Sequence, residues 1–421
     1  MARPTIQAAA VVTSVILTQS DMVPVGPEPV RAPDPRHRWW AVPLAVVGFL
    51  CLGTVLAAAV VPSKFFVDKK GCEEEDAGDD CSVEFALVPA DAEPVEPRLD
   101  IDGTTVYPSD GEIYFVTIRQ PKITMLDWFV TRNSPAARMM TYENKFGDQT
   151  EEQLLQSGQR QMTGAKDRAT YVALKAAGFP VSRKDGAAIV DYVICLKANE
   201  ANTQCIEEPP AADVLEANDV ITSLDGTPVD TLDDLQPILA KIEPGDTVPI
   251  TLERDGDTIE TEVETILAPG EDEQRTIIGF SPVDTTTVDL PDGLTVDFDT
   301  DGIGGPSAGL AFSLTLIDQI TEGNLMGDGR IAVTGEIDID GNVGAIGGLN
   351  SKASAVQQVG VKYFLVPASQ PDIGDDPTRP NRDSVEFART VVGDDVEIIP
   401  VATLDEALAA LERLGGDPLP K

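Results

Sequence analysis

The sequence predicts α/β architecture: a strand-and-helix domain and a β-rich module, carried behind one amino-terminal transmembrane helix. Three observations predict it: a charge-free apolar run at residues 39–61, a succession of short β-runs from 205 to 266, and glycine-rich strand–helix text from 301 onward. At 421 residues the chain exceeds the usual size of one domain, which leaves room for two folded units and tails.

The apolar run, WWAVPLAVVGFLCLGTVLAAAVV, has 23 positions without a charge and would span roughly 35 Å as a helix, enough for a bilayer core. Trp39 and Trp40 stand at one edge as interfacial anchors would, and Arg31, Arg36 and Arg38 before them favour a cytoplasmic amino terminus. The reading is therefore an uncleaved single-pass anchor in the cell membrane, with the carboxyl-terminal domains extracytoplasmic. Residues 1–38 read as a tail and residues 62–103 as a juxtamembrane spacer, most charged over 68–82. Residues 104–184 form the first part of the extracytoplasmic region. There TTVYP, EIYFVTI and ITMLDWFV have strand character, and a helix is expected over about 150–178, where Met162, Ala169, Val172, Ala173 and Ala176 share a face and Gly178 supplies a stop.

Composition narrows the partners. Lys and Arg number 31 against 71 Asp and Glu, a net charge of −40, and such a field repels phosphate backbones, so nucleic acid is excluded as a partner. The five cysteines contain no Cys-x-x-Cys pair and there is one histidine, His37, which argues against a zinc site; no metal and no cofactor are expected. Cys72 with Cys81, and Cys195 with Cys205, have spacings that suit disulfides in an oxidising compartment and equally suit unpaired loop thiols.

Residues 185–268 read as the β-rich module. Its strands DTVPITLERDG and DTIETEVETI are joined at Asp255-Gly256, and a helix starts at Thr231. Pro210-Ala211-Ala212, Asn218-Asp219-Val220-Ile221 and Asp225-Gly226, in that order, resemble the PDZ family. The resemblance implies a module that takes up an extended peptide as an added strand and captures a terminal carboxylate on main-chain N–H groups. Asn218 stands where the family usually has Gly, and no carboxylate-binding loop is legible among residues 178–195.

The chemistry is concentrated in residues 275–415. Gly304, Gly305 and Pro306 make a turn before Ser307, which opens an apolar helix; a nucleophile presented there has main-chain N–H groups nearby to hold an oxyanion, with Gly305, Pro306 and Ala308 forming the turn. A serine needs a base, and His37 lies on the far side of the expected anchor, which excludes a Ser-His-Asp triad within the chain. A lysine kept neutral is the remaining base, at a cost of roughly 3–5 kcal/mol in burial and local field. Lys352 follows the apolar, glycine-rich Ala345–Leu349 approach, in the first turn of a helix expected to be capped by Asn350 or Ser351 and to end at Gly360, where the macrodipole opposes an ammonium. Lys362, at a strand start, reads as a solvated charge.

Gly305-Pro306-Ser307-Ala308-Gly309, Thr334-Gly335-Glu336, and Gly347-Gly348-Leu349 followed by Lys352, 45 residues after Ser307, are together similar to the proteolytic domain of the Lon protease family. With the anchor and the PDZ-like part, the chain resembles the bacterial membrane-anchored, PDZ-containing Lon-like peptidases. The resemblance implies a Lon-type α/β proteolytic fold in which Ser307 attacks the peptide carbonyl, Lys352 takes its proton, Thr334 orients the amine and an acyl-enzyme forms. It also implies protein or peptide substrates and a homo-oligomeric ring. Many Lon relatives carry an acidic residue at the position of Gly304, so that role does not transfer. The chain has no G-x-x-x-x-G-K-[ST] and no Gly-Lys pair, so ATP-independent cleavage of flexible or misfolded extracytoplasmic proteins is expected. The alternative is a catalytically silent PDZ scaffold.

Overall fold

The computed structural model describes residues 41–68, 82–146, 150–184, 186–198, 205–268, 275–284, 286–370 and 384–420. The chain divides into two compact units at Thr54/Val55. The tail 1–38, Trp39, Trp40, Cys72 and Cys81 lie outside the described residues.

The expected anchor is described as the helix Ala41–Ala58, 18 residues long, with Val42, Leu44, Phe49, Leu50 and Leu56 exposed. At 1.5 Å per residue this is about 27 Å, short of a hydrocarbon core of about 30 Å. Among the described residues no helix is long and apolar enough to cross a membrane; the 23-residue span expected from sequence begins before them, at Trp39.

A six-stranded sheet organises the larger unit. Its order is Glu397–Val401, Tyr363–Pro367, Arg330–Val333, Glu112–Arg119, Phe85–Pro94 and Arg138–Met140. The first four run parallel and the last two join antiparallel. Buried side chains alternate between its faces: Ile113, Phe115, Ile331 and Val333 belong to one core cluster, and Tyr114, Val116, Ala332 and Phe364 to another. A period of two with both faces apolar is what a sheet covered on both sides requires. The helix Gly309–Ile320, the long helix Glu151–Ala176 and Leu404–Arg413 cover the first face, and Leu349–Gln358 and Ser384–Val392 the second.

This sheet revises the linear reading of the chain. Phe85–Pro94, expected in the spacer, and Glu112–Arg119, expected in a separate amino-terminal part, are strands of the same sheet as residues 330–401. Two smaller pairings repeat the pattern, Leu99–Asp102 with Thr295–Phe298 and Ser182–Lys184 with Thr287–Asp289. Segments far apart in sequence supply one core, and the β-rich module is inserted between them. TTVYP is not a strand, and Met125–Thr131, which takes up most of ITMLDWFV, is a helix because Thr124 and Asp127 form a capping box that satisfies its first N–H groups. The long helix also starts on a capping box, Thr150 with Gln153, and stops at Gly178 in the left-handed region.

The inserted module has the sheet order Asp257–Glu264, Thr247–Arg254, Val220–Leu224, Ala188–Val193 and Phe280–Asp284. Its hairpin turns at Asp255 and Gly256, both at positive φ as a two-residue I′ loop demands. Asn218 has φ 77°, a conformation Asn tolerates, which accounts for its standing in for the family's Gly.

Candidate active site

Three elements converge at the carboxyl end of the central strand Arg330–Val333. Thr334 and Gly335 follow that strand directly, Ser307 stands two residues before the helix on one face, and Lys352 is in the first turn of the helix on the other. The backbone stitches them together: Gly335 N–H donates to Ser307 O at 2.9 Å, Leu310 N–H to Gly335 O at 3.1 Å, and Thr334 N–H to Leu365 O at 3.0 Å. Carboxyl edges of parallel strands are where open α/β sheets leave a crevice for ligands.

Lys352 Nζ lies 2.7 Å from Ser307 Oγ and 3.0 Å from Thr334 Oγ1, and Thr334 Oγ1 donates to Ser307 O at 3.1 Å. Ser307 is half-buried, whereas Lys352 is 2% exposed and Thr334 fully enclosed. Removal from water lowers the Lys352 ammonium from its ordinary 10.5 to about 7. Desolvation by burial, one of the causes argued from sequence, accounts for that shift. A neutral amine here donates to Thr334 Oγ1, whose own hydroxyl is spent on a backbone carbonyl; its lone pair is thereby held toward Ser307, where it can accept a proton.

The caps expected for the lysine helix are also corrected. Its N-cap is Gly348 at φ 67°, without a side-chain cap, while Asn350 and Ser351 lie inside the helix. They donate instead to Pro135 O at 2.8 Å and Ala136 O at 2.6 Å, fixing the lysine helix to the stretch before Arg138–Met140.

In the turn before the nucleophile, Gly305 has φ 88° and its N–H donates to Gly158 O of the long helix at 2.8 Å. This removes Gly305 from the expected oxyanion donors, and Pro306 has no N–H. Gly309 N–H donates to Pro306 O at 3.2 Å, and the N–H groups of Ser307 and Ala308 have no acceptor among the described residues. Those two are the available donors at the helix start. Gly304 sits against Gly158, so that a Cβ there would meet the Gly158 backbone at 3.3 Å, too close for an acidic side chain without movement. Sequence reasoning missed Gly158 because nothing in its own helix marks it; the signal is a glycine opposite two others in the folded chain. Asp301 is exposed and lies in a turn, its N–H donating to Asp299 Oδ1 at 3.1 Å.

Cys195 and Cys205 form a disulfide with 5.5 Å between Cα atoms. Lys362 is exposed. Among the described residues no cluster of His, Cys, Asp or Glu is arranged to hold a metal ion.

Ser307, Lys352 and Thr334 are thus arranged as a serine peptidase that uses a lysine in place of histidine requires. Residues 285–411 match the family model described as the Lon protease (S16) C-terminal proteolytic domain, and residues 194–265 match that of the PDZ domain. The chain thus carries a Lon-type proteolytic domain and a PDZ domain. It is 36% identical over 128 residues to the Lon protease of Xanthomonas oryzae pv. oryzae, covering 30% of this chain and 13% of that protein. It is 38% identical over 110 residues to the Lon protease of Vibrio parahaemolyticus, covering 26% and 12%. The chain therefore spans about an eighth of the length of these curated relatives. Among solved structures it is similar to the PDZ domain of the SdrC-like protein from Listeria monocytogenes, at 24% identity, covering 24% of this chain and 90% of that one, with a TM-score of 0.19.

Proposed function

We propose that the chain is an ATP-independent serine endopeptidase, tethered to the cell membrane through residues 39–61, that cleaves flexible or misfolded extracytoplasmic proteins. The observation that carries the reading is the 2.7 Å approach of a buried, unpaired amine to Ser307 Oγ. Ser307 Oγ attacks the scissile carbonyl while Lys352 Nζ takes its proton. The N–H groups of Ser307 and Ala308 receive the developing oxyanion, and Lys352 then returns the proton to the leaving amine as the acyl-enzyme forms. Water, deprotonated by the same amine, releases the acyl group.

The absence of any Gly-Lys pair supports ATP independence within these residues. The charge-free run with its Arg residues supports a tether, and the Cys195–Cys205 disulfide supports an oxidising compartment. A homo-oligomeric ring follows from the family likeness, and sizing of the detergent-solubilised chain tests it.

The functional test incubates the full chain with an unfolded protein and no ATP, and reads peptides by mass spectrometry for wild type, Ser307→Ala and Lys352→Ala. Peptides from wild type that vanish in both variants support the reading. A silent wild type, or cleavage that survives loss of Ser307, transfers support to a catalytically silent PDZ scaffold.

A further inference from the structure

Single apolar side chains on a protein surface are ordinary, whereas several large ones gathered together call for an occupant. Past Val60, seven large apolar side chains are exposed among the described residues. Four of them, Phe65, Phe66, Phe129 and Val130, are 60–69% exposed and come from two segments that the backbone holds side by side. Pro62 pairs with Thr124 as an isolated bridge, Ser63 N–H donates to Ile123 O at 3.1 Å, and Met125 N–H donates to Val61 O at 2.9 Å. The buried Ser63 hydroxyl closes the junction by donating to Val83 O at 2.6 Å.

Two further observations indicate what covers these side chains. Val61 is the last residue of the charge-free run, and Phe65 stands four residues beyond it, at most about 14 Å of extended chain. Phe129 lies one helical turn, about 6 Å, from the Met125 that is bonded to Val61. The local charge also runs against that of the whole chain. Residues 119–145 carry Arg119, Lys122, Arg132, Arg138 and Lys145 against Asp127 and Glu143, in a protein of net charge −40. Arg119, Lys122, Arg132 and Arg138 are exposed, and the Arg132 guanidinium lies 4.4 Å from the centre of the Phe129 ring and 4.7 Å from that of Trp128. Exposed aromatic and aliphatic groups rimmed by basic ones suit the boundary between anionic headgroups and acyl chains.

We propose that Phe65, Phe66, Phe129 and Val130 dock on the lipid bilayer beside the tether, with Arg119, Lys122 and Arg132 against its headgroups. The inference rests on the tether reading given above. Docked side chains enter the boundary by about 5–10 Å, a depth that the short connection to Val61 permits. The chain after the docked helix contains Pro135 and Ala136, which hold the Lys352 helix, so docking also sets the active site near the bilayer.

The probe is a single tryptophan, Phe129→Trp, in the full chain with Trp39→Phe, Trp40→Phe and Trp128→Phe. The protein is reconstituted in vesicles of phosphatidylcholine and phosphatidylglycerol, with bromine on the upper part of the phosphatidylcholine chains. Bromine is expected to quench the emission by about half or more, and by less than about a tenth when the tryptophan is placed instead by Leu267→Trp, at an exposed residue of the inserted module. Phe65→Ser with Phe66→Ser should at least halve the quenching at position 129. Circular-dichroism melting establishes which variants are folded, and Val130→Trp supplies the reading if Phe129→Trp is not. Vesicle flotation after an alkaline carbonate wash reads the tether separately. A chain that floats after the wash without quenching at position 129 overturns the docking alone. One that is quenched but stripped by the wash supports docking and overturns the tether, and one that never floats overturns both. Shielding of position 129 from aqueous iodide without quenching by bromine also overturns the proposal, because a second copy of the chain is then the occupant.

Discussion

Two buried charges in this protein are handled in opposite ways. In the PDZ module Asp219 is 1% exposed and fully partnered, with Arg254 Nε and Nη2 each 2.7 Å from its oxygens and Glu216 N–H donating to it at 2.7 Å. In the proteolytic domain Lys352 is 2% exposed and meets only hydroxyl groups. A buried charge that is paired and hydrogen-bonded can be kept; one offered only neutral partners gives up its proton instead. The first arrangement stabilises a fold, and the second stores a base.

The sharpest way to break this comparison is to remove the base. Ser307→Ala and Lys352→Ala should each lower cleavage of an unfolded protein by roughly a thousandfold or more, measured as initial rate, since neither half of the pair works alone. Lys352→Met fills the same space without an amine and should be equally inactive, yet more stable near neutral pH. The sign follows from the depressed pKa. Below pH about 7 the folded state bears the full cost of a buried ammonium, roughly 3–5 kcal/mol, and that cost fades as pH rises from about 7 to 10.5. Denaturant unfolding of wild type and Lys352→Met should therefore converge across that window, and a constant gap would show that Lys352 keeps an ordinary pKa. In the same pH series, wild-type cleavage should climb about tenfold per unit below pH 7 and level off above it, because the neutral amine is the active form.

The opposite experiment acts on the paired charge. Arg254→Leu leaves Asp219 buried without its counter-charge and should cost about 3–5 kcal/mol, read as a fall in the module's unfolding midpoint. Reduction of Cys195–Cys205 opens a short loop and should cost the same module about 2–3 kcal/mol. The finest test is Thr334. Thr334→Val removes the hydroxyl that orients the amine and should lower kcat about 10- to 100-fold with little change in KM, while Thr334→Ser restores most of the rate. Loss of stability without loss of kcat would make Thr334 a packing residue alone.

The site was largely legible in the chain. The turn before Ser307, the glycine-rich approach to Lys352 and the elimination of His37 are local or compositional signals, and the structure brings Ser307, Lys352 and Thr334 within hydrogen-bond reach. That the lysine must be buried follows from its need to be neutral, but which residues enclose it is not visible in sequence. Of the turn residues named from sequence, Gly305 drops out as a donor because its N–H is consumed by Gly158, some 150 residues earlier in the chain, which leaves Ala308, with Ser307 beside it.

What the sequence determined by itself is what short-range chemistry controls. Capping boxes, left-handed glycines, two-residue hairpin loops and apolar periods set Glu151–Ala176 and the Asp255-Gly256 hairpin near where their residues predict them. Tertiary structure alone decided that Phe85–Pro94 and Glu112–Arg119 complete the sheet of the proteolytic domain, and that Phe280–Asp284 fills the edge of the module. Strand pairing between distant segments is set by which faces can be buried together once the chain is compact, and one strand's pattern of alternation does not name its neighbour.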